Sequence, residues 1–142
     1  MTTPPSTTYS VISYDASQLP ESYQALVYSK WLHSLRFDND YFKLMDKHPY
    51  YTIYHKFLEQ LLAKPDCKVR LAVLTDDHDV VLGFSVSRGT ILDYVHVHKD
   101  MRKQGIGTAL VPQGIETITH LTNIGLSIWA SKMNNTRFNP FI

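Results

Sequence analysis

Two hydrophobic periods divide the chain. Between Pro20 and Leu35 apolar residues recur at helical spacing: Tyr23, Leu26, Val27, Trp31 and Leu35 share a face with Lys30 and Ser34. Arg36 to Asp40 reads as a polar break. A cleaner stripe follows, with Tyr50, Ile53, Tyr54, Phe57, Leu58, Leu61 and Leu62 at i, i+3, i+4, i+7, i+8, i+11 and i+12. His48-Pro49 starts that helix, because a first-turn proline gives up an N–H that has no partner there. Lys64-Pro65 stops it. From residue 68 the period falls to two. Val69, Leu71 and Val73 alternate up to Thr75, Asp76 to Asp79 turn, and Val80 to Val86 return as the second arm of a hairpin. After an Arg88-Gly89 turn, Ile91 to His98 form a third strand, with Ile91, Asp93, Val95 and Val97 on one face and Leu92, Tyr94, His96 and His98 on the other. Tyr9 to Tyr14 is an earlier β-rich run. A helix is expected after Gly105 with Ile106, Ala109, Leu110, Ile115 and Ile118 inward, and Ile124 to Trp129 reads as a last strand. The order is β-α-α-β-β-β-α-β. Residues 1–8, rich in Pro and Thr, read as a flexible arm, and 9–142 as a single domain.

Composition narrows the function classes. Lys+Arg 14 against Asp+Glu 13 leaves a net charge of +1, so neither a nucleic-acid field nor a polybasic membrane anchor is expected. Cys67 is the sole cysteine, which excludes an internal disulfide and a multi-cysteine zinc site. No apolar run approaches the roughly 20 residues of a membrane span. The Met1 to Thr8 stretch lacks the basic start and apolar core of a signal peptide.

Candidate chemistry centres on residues 95–110. A strand, a tight turn and a helix start carry Gly105 and Gly107. Glycines admit an oxyanion close to the backbone, and unpaired N–H groups at a helix start point outward together. Such a turn holds phosphate or pyrophosphate, with Arg102 and Lys103 adding charge at its rim. Arg102-Lys103-Gln104-Gly105-Ile106-Gly107 resembles the Arg/Gln-x-x-Gly-x-Gly/Ala signature of the GNAT superfamily of acyl-CoA N-acyltransferases, and Val97-His98-Lys99-Asp100 resembles its strand exit. Ile124 to Asn135 is similar to the family's fifth strand and the Asn that opens its next helix. The resemblance implies an α+β fold, a central mixed sheet with flanking helices. It implies that acetyl-CoA or CoA runs its pantetheine arm beside the backbone of Val95 and Val97. The pyrophosphate would sit on the N–H groups of Lys103, Gln104, Gly105, Ile106, Gly107 and Thr108, near Arg102.

The departures from that pattern carry equal weight. The chain ends at Ile142, where the family continues through a long helix and two more strands, so those two strands are expected to be missing. No tyrosine follows Tyr94 to serve as the family's general acid, and Pro112 opposes a regular helix. Asp93 is the one acidic residue on the strand leading to the motif and the candidate base, with a plain structural role as the alternative. His96 and His98 share a face but lack a third metal ligand; Cys67 has no reactive setting. Two functions remain open: a small acyl-CoA N-acyltransferase, or a GNAT-derived structural or adaptor subunit without catalysis. An apolar C-terminal region, 124–142, is expected to meet a protein partner or another copy. The setting is then cytoplasmic or, by analogy with GNAT-like virion components, a phage particle.

Overall fold

Residues 8–98, 101, 105–120 and 136–139 are described by the computed structural model. Among them the elements run β1 (Tyr9–Asp15), a 3-10 turn (Ala16–Gln18), α1 (Glu21–Asp38), α2 (Asp40–Lys43), α3 (Lys47–Leu62), β2 (Cys67–Leu74), β3 (Asp77–Arg88), β4 (Ile91–Val97), α4 (Ile106–Leu110), β5 (Thr117–Ile118) and β6 (Arg137–Phe138). The six strands form one sheet in the order β1-β2-β3-β4-β5-β6. The first four are antiparallel, while β4–β5 and β5–β6 pair in parallel, so the sheet is mixed.

The side-chain alternation of β4 divides the interior in two. Tyr94 joins Phe84, Trp31, Leu35, Tyr50 and Leu58 in the core beneath α1 and α3. Val95 and Val97 turn the other way, against Ile106, Leu110, Ala72 and Leu82 beside α4. In the larger core Trp31 stacks on Tyr94 with centroids 4.7 Å apart and planes 5° from parallel. Such a pair adds about 0.5–1.5 kcal/mol to its area burial. Ser34, polar on an otherwise apolar face, donates its proton to the Lys30 carbonyl and so accepts from Tyr94 Oη at 2.6 Å. Tyr50 Oη donates to the Leu32 carbonyl at 2.7 Å, tying α3 to α1.

Several boundaries differ from those read in the sequence. The β2–β3 connection is only Thr75-Asp76, because β3 starts at Asp77 and pairs it with Leu74; register shifts at Ala72/Val73 and Val73/Leu74 absorb the difference. The expected break at Arg36 to Asp40 narrows to Asn39, because α1 continues through Asp38. The helix after Gly105 lasts five residues. Val111 is already extended, and Pro112 can neither donate to the Thr108 carbonyl nor sit beside it without a clash. Gly114, at φ +81, turns the chain back. Ile118, expected inside that helix, lies in β5 opposite Leu92, and is buried there. The pair β6 was not expected at all. The anticipated strand at 124–129 and most of the arm at 1–8 lie outside the described residues.

Candidate functional site

The far end of β4 delivers the chain into the glycine turn. His98 N–H donates to the Leu82 carbonyl at 2.8 Å as the β3–β4 pairing ends, and Met101 N–H returns to the His98 carbonyl at 2.8 Å. Gly105 caps α4 at φ +81, the left-handed region that glycine enters without a Cβ penalty. Among the described residues, a Cβ built there meets nothing within 4 Å. The first helical bond runs from Ala109 N–H to the Gly105 carbonyl at 3.0 Å. The N–H groups of Ile106, Gly107 and Thr108 therefore precede the intrahelical ladder. Ile106 is buried while Thr108 is exposed. Arg102, Lys103 and Gln104 lie outside the described residues.

Close packing locks this turn to the sheet. A Cβ on Gly83 would sit 2.6 Å from the backbone oxygen of His96, so glycine is what lets β3, β4 and α4 approach. Ser85 Oγ donates to the Leu110 carbonyl at 2.7 Å, satisfying one of the orphan acceptors at the end of α4. Val97 reaches the helix as well, with its Cγ2 3.6 Å from where a Gly107 Cβ would stand.

The other end of β4 holds a buried polar chain. Asp93 is fully buried, and its carboxylate accepts from Arg88 Nε at 2.6 Å, Arg88 Nη2 at 2.8 Å and Thr119 Oγ1 at 2.8 Å. Hydrogen bonding to Asp93 raises the Arg88 pKa against the opposing effect of burial. Thr119 Oγ1 also meets His120 Nδ1 at 2.9 Å, and His120 Nε2 lies 3.4 Å from Tyr54 Oη. Burial pushes the His120 pKa down to about 4, so the imidazole is neutral at neutral pH. The rings of Trp31 and Phe57 close over it, at 5.5 and 5.6 Å.

Thus the residues singled out from the sequence separate into two groups along one strand. Val95, Val97, Gly105, Ile106, Gly107 and Thr108 gather at the turn, whereas Asp93 lies at the opposite end with every named contact going to Arg88 or Thr119. Arg88, Thr119, His120 and Tyr54 were missed. Only the Arg88–Asp93 pair carried a local signal, an Arg and an Asp on the two arms of a hairpin joined by Gly89-Thr90. His96 packs its ring 5.6 Å from Phe84. Lys30, Leu26 and Gly83 line with it and His98 a cavity of about 20 Å³. Burial raises the Cys67 thiol pKa to about 12, which makes it unreactive at neutral pH. Asp77 folds onto the Asp79 N–H at 3.1 Å in a side-chain-closed turn. Among the described residues no three His, Cys, Asp or Glu side chains are grouped to hold a metal, and no helix is long and apolar enough to cross a membrane. Of the region 124–142, residues 136–139 are described, with Arg137 and Phe138 exposed in β6 at the end of the described sheet.

Neither a family model nor a curated protein sequence matches this chain. Solved structures do. A protein designated an acetyl transferase from Pyrococcus furiosus is similar over 92% of this chain and 80% of its own, with a TM-score of 0.51 and 17% identity. A protein designated a GNAT family acetyltransferase from Staphylococcus aureus is similar over 91% and 97% at TM-score 0.45 and 16% identity. A ribosomal-protein-alanine N-acetyltransferase from Brucella melitensis biovar Abortus is similar over 92% and 77% at TM-score 0.44 and 15% identity. The first of these carries the structural point: the chain has the α+β, mixed-sheet fold of an acetyltransferase, as the glycine turn led one to expect.

Proposed function

We propose that this domain binds acyl-CoA at the β4–α4 turn and transfers the acyl group to an amine. The observation that carries the reading is Gly105. It stands in a left-handed conformation between β4 and α4, with none of the described residues within 4 Å of where a side chain would project and three N–H groups ahead of the first helical bond. That is a fit for a diphosphate, whose oxygens need close backbone approach and several donors. A five-residue helix contributes little macrodipole, so binding rests on the N–H groups themselves and on the positive charges of Arg102 and Lys103, which precede the turn in the sequence. The backbone of Val95 and Val97 would guide the pantetheine arm. Acyl-CoA supplies an activated thioester; the chain binds it, orients it and polarises its carbonyl through backbone donors. In this reading Asp93 is a positioning residue, because its carboxylate is buried and committed to Arg88 and Thr119.

Calorimetric titration of CoA and acetyl-CoA into the full chain tests this. Saturable binding that Gly105→Val weakens supports it. Absence of binding to the folded protein overturns it.

A second reading is favoured by a different observation. Phe138 is 48% exposed on β6, the last strand of the sheet among the described residues. An exposed large apolar residue is suited to association, so the 124–142 region would serve a structural or adaptor role through a protein partner or a second copy. Phe138→Asp should then shift the oligomeric mass measured by light scattering without changing the melting temperature. An unchanged mass counts against this reading.

A further inference from the structure

The two short parallel strands β5 and β6 border a cleft. Among the described residues, Ile115, Glu116, Thr117 and Arg137 line a cavity of about 370 Å³, a size that suits a small ligand. The backbone fixes how its charged residues stand to one another. Arg137 N–H donates to the Glu116 carbonyl at 2.8 Å, and Arg137 is the register partner of Thr117. Thr117 and Arg137 therefore share a face of the sheet, with Glu116 one residue before β5.

Glu116 and Arg137 are both exposed, and among the described residues neither forms an ion pair, with the other or with a third group. A carboxylate and a guanidinium that line one cleft without joining present opposite charges to whatever enters it. The guanidinium suits a carboxylate, which it can hold through two parallel N–H bonds, and the Thr117 hydroxyl can donate a third. The Glu116 carboxylate suits an ammonium group. A ligand that satisfies both carries the two charges close together, as an α-amino acid does on either side of one carbon. Ile115, half-buried, adds an apolar wall.

We propose that this cleft binds a zwitterionic α-amino acid with an aliphatic side chain, its carboxylate on Arg137 and Thr117, its ammonium on Glu116 and its side chain against Ile115. The inference goes beyond the acyltransferase reading and does not rest on it. Thr117 pairs with Ile91 at the start of β4, whereas Gly105 follows the end of that strand. Seven residues of β4 put about 20 Å between its two ends, so an amino acid in the cleft is not an acyl acceptor at the turn.

The test uses L-leucine, with isocaproate and isoamylamine as counterparts that each lack one of its charges. Each is titrated at neutral pH into the isotope-labelled full chain, and the backbone amide resonances of Ile115, Thr117 and Arg137 are followed. Leucine should shift them saturably. The two counterparts should bind more weakly by about tenfold or more, the factor expected for losing a hydrogen bond to a charged group. Arg137→Gln should bring leucine down to the level of isoamylamine and leave isoamylamine itself unchanged. Glu116→Gln should bring it down to the level of isocaproate and leave isocaproate unchanged. Both positions are exposed, so the variants should keep the wild-type melting temperature. If one variant fails to fold, the other and the ranking of the three compounds on the wild type still decide. Equal affinity for the three compounds, wild-type leucine affinity in a folded variant, or no saturable shift up to about 10 mM leucine overturns the proposal. Leucine shifts confined to Val97, Gly105 and Gly107 overturn it too, and place the amine at the glycine turn, where the acyltransferase reading stands.

Discussion

Arg88 grips Asp93 across the β3–β4 turn through two contacts, Nε to Oδ2 at 2.6 Å and Nη2 to Oδ1 at 2.8 Å, with side chains 7% and 0% exposed. The pair brings a cation and an anion into the same dry place, and Thr119 completes the carboxylate's needs. Desolvation consumes much of the Coulombic gain of such a pair, but breaking one half leaves a charge stranded.

Asp93→Asn should therefore cost about 3–5 kcal/mol, because the Arg88 guanidinium remains buried without its counter-charge. The double change Arg88→Met with Asp93→Leu should cost less than Asp93→Asn alone. Urea denaturation of the three proteins checks the ranking. A single variant milder than the double would show that the charges are not what matters there.

Acid should destabilise the fold through His120. Its folded pKa of about 4 lies below the ordinary 6.5, so the unfolded chain binds the extra proton more readily. The contribution is fully present above pH 6.5 and is lost as pH falls through that window toward 4, on the order of 3 kcal/mol in all. Stability curves of wild type and His120→Gln between pH 4 and 7 should converge toward the acid end. Parallel curves would place the acid sensitivity elsewhere.

The two glycines of the turn should behave differently. Gly105→Ala forces a Cβ into the left-handed region at a cost of about 1–2 kcal/mol. Among the described residues Gly107→Ala meets only Val97 Cγ2, at ordinary contact distance, and a helical Gly→Ala change is worth up to about 1 kcal/mol in its favour. If Gly107→Ala melts higher yet loses CoA in calorimetry, close backbone approach is the reason for the glycine. If both properties hold, the diphosphate sits nearer to Gly105.

Gly83→Ala should be more damaging than its small size suggests. The new methyl would lie 2.6 Å from the backbone oxygen of His96, and neither strand can rotate a rigid carbonyl away. A loss of about 1–3 kcal/mol is expected for such overpacking. Faster amide exchange in both β3 and β4 should accompany it; normal exchange there would show that the sheet yields locally.

The parts of this molecule that were legible in the sequence are those written as local periods. The stripe on α3 is real, but Ile53 and Phe57 are exposed, since a stripe of seven positions is wider than the face that α1 and the sheet cover. The alternation along β4 separates Tyr94 from Val95 and Val97 as read. Ile115 and Ile118 also looked helical, because spacing alone does not register that Pro112 ends a helix rather than bending it. The two-residue strands β5 and β6 are too short for any period to announce. Least legible was the buried polar chain, whose Tyr54 and His120 stand 66 residues apart and meet only through the tertiary fold.

The stacking of Trp31 on Tyr94 has an optical consequence. The chain has two tryptophans, so Trp129→Phe leaves Trp31 as the lone indole. That indole is wholly dry, its Nε1 has no hydrogen-bond partner among the described residues, and the His120 ring stands nearly perpendicular to it. The core thus carries a fluorophore whose emission colour reports on water entry and whose brightness responds to charge on the neighbouring imidazole. Events at the Tyr54 end of the polar chain become visible to light without any label.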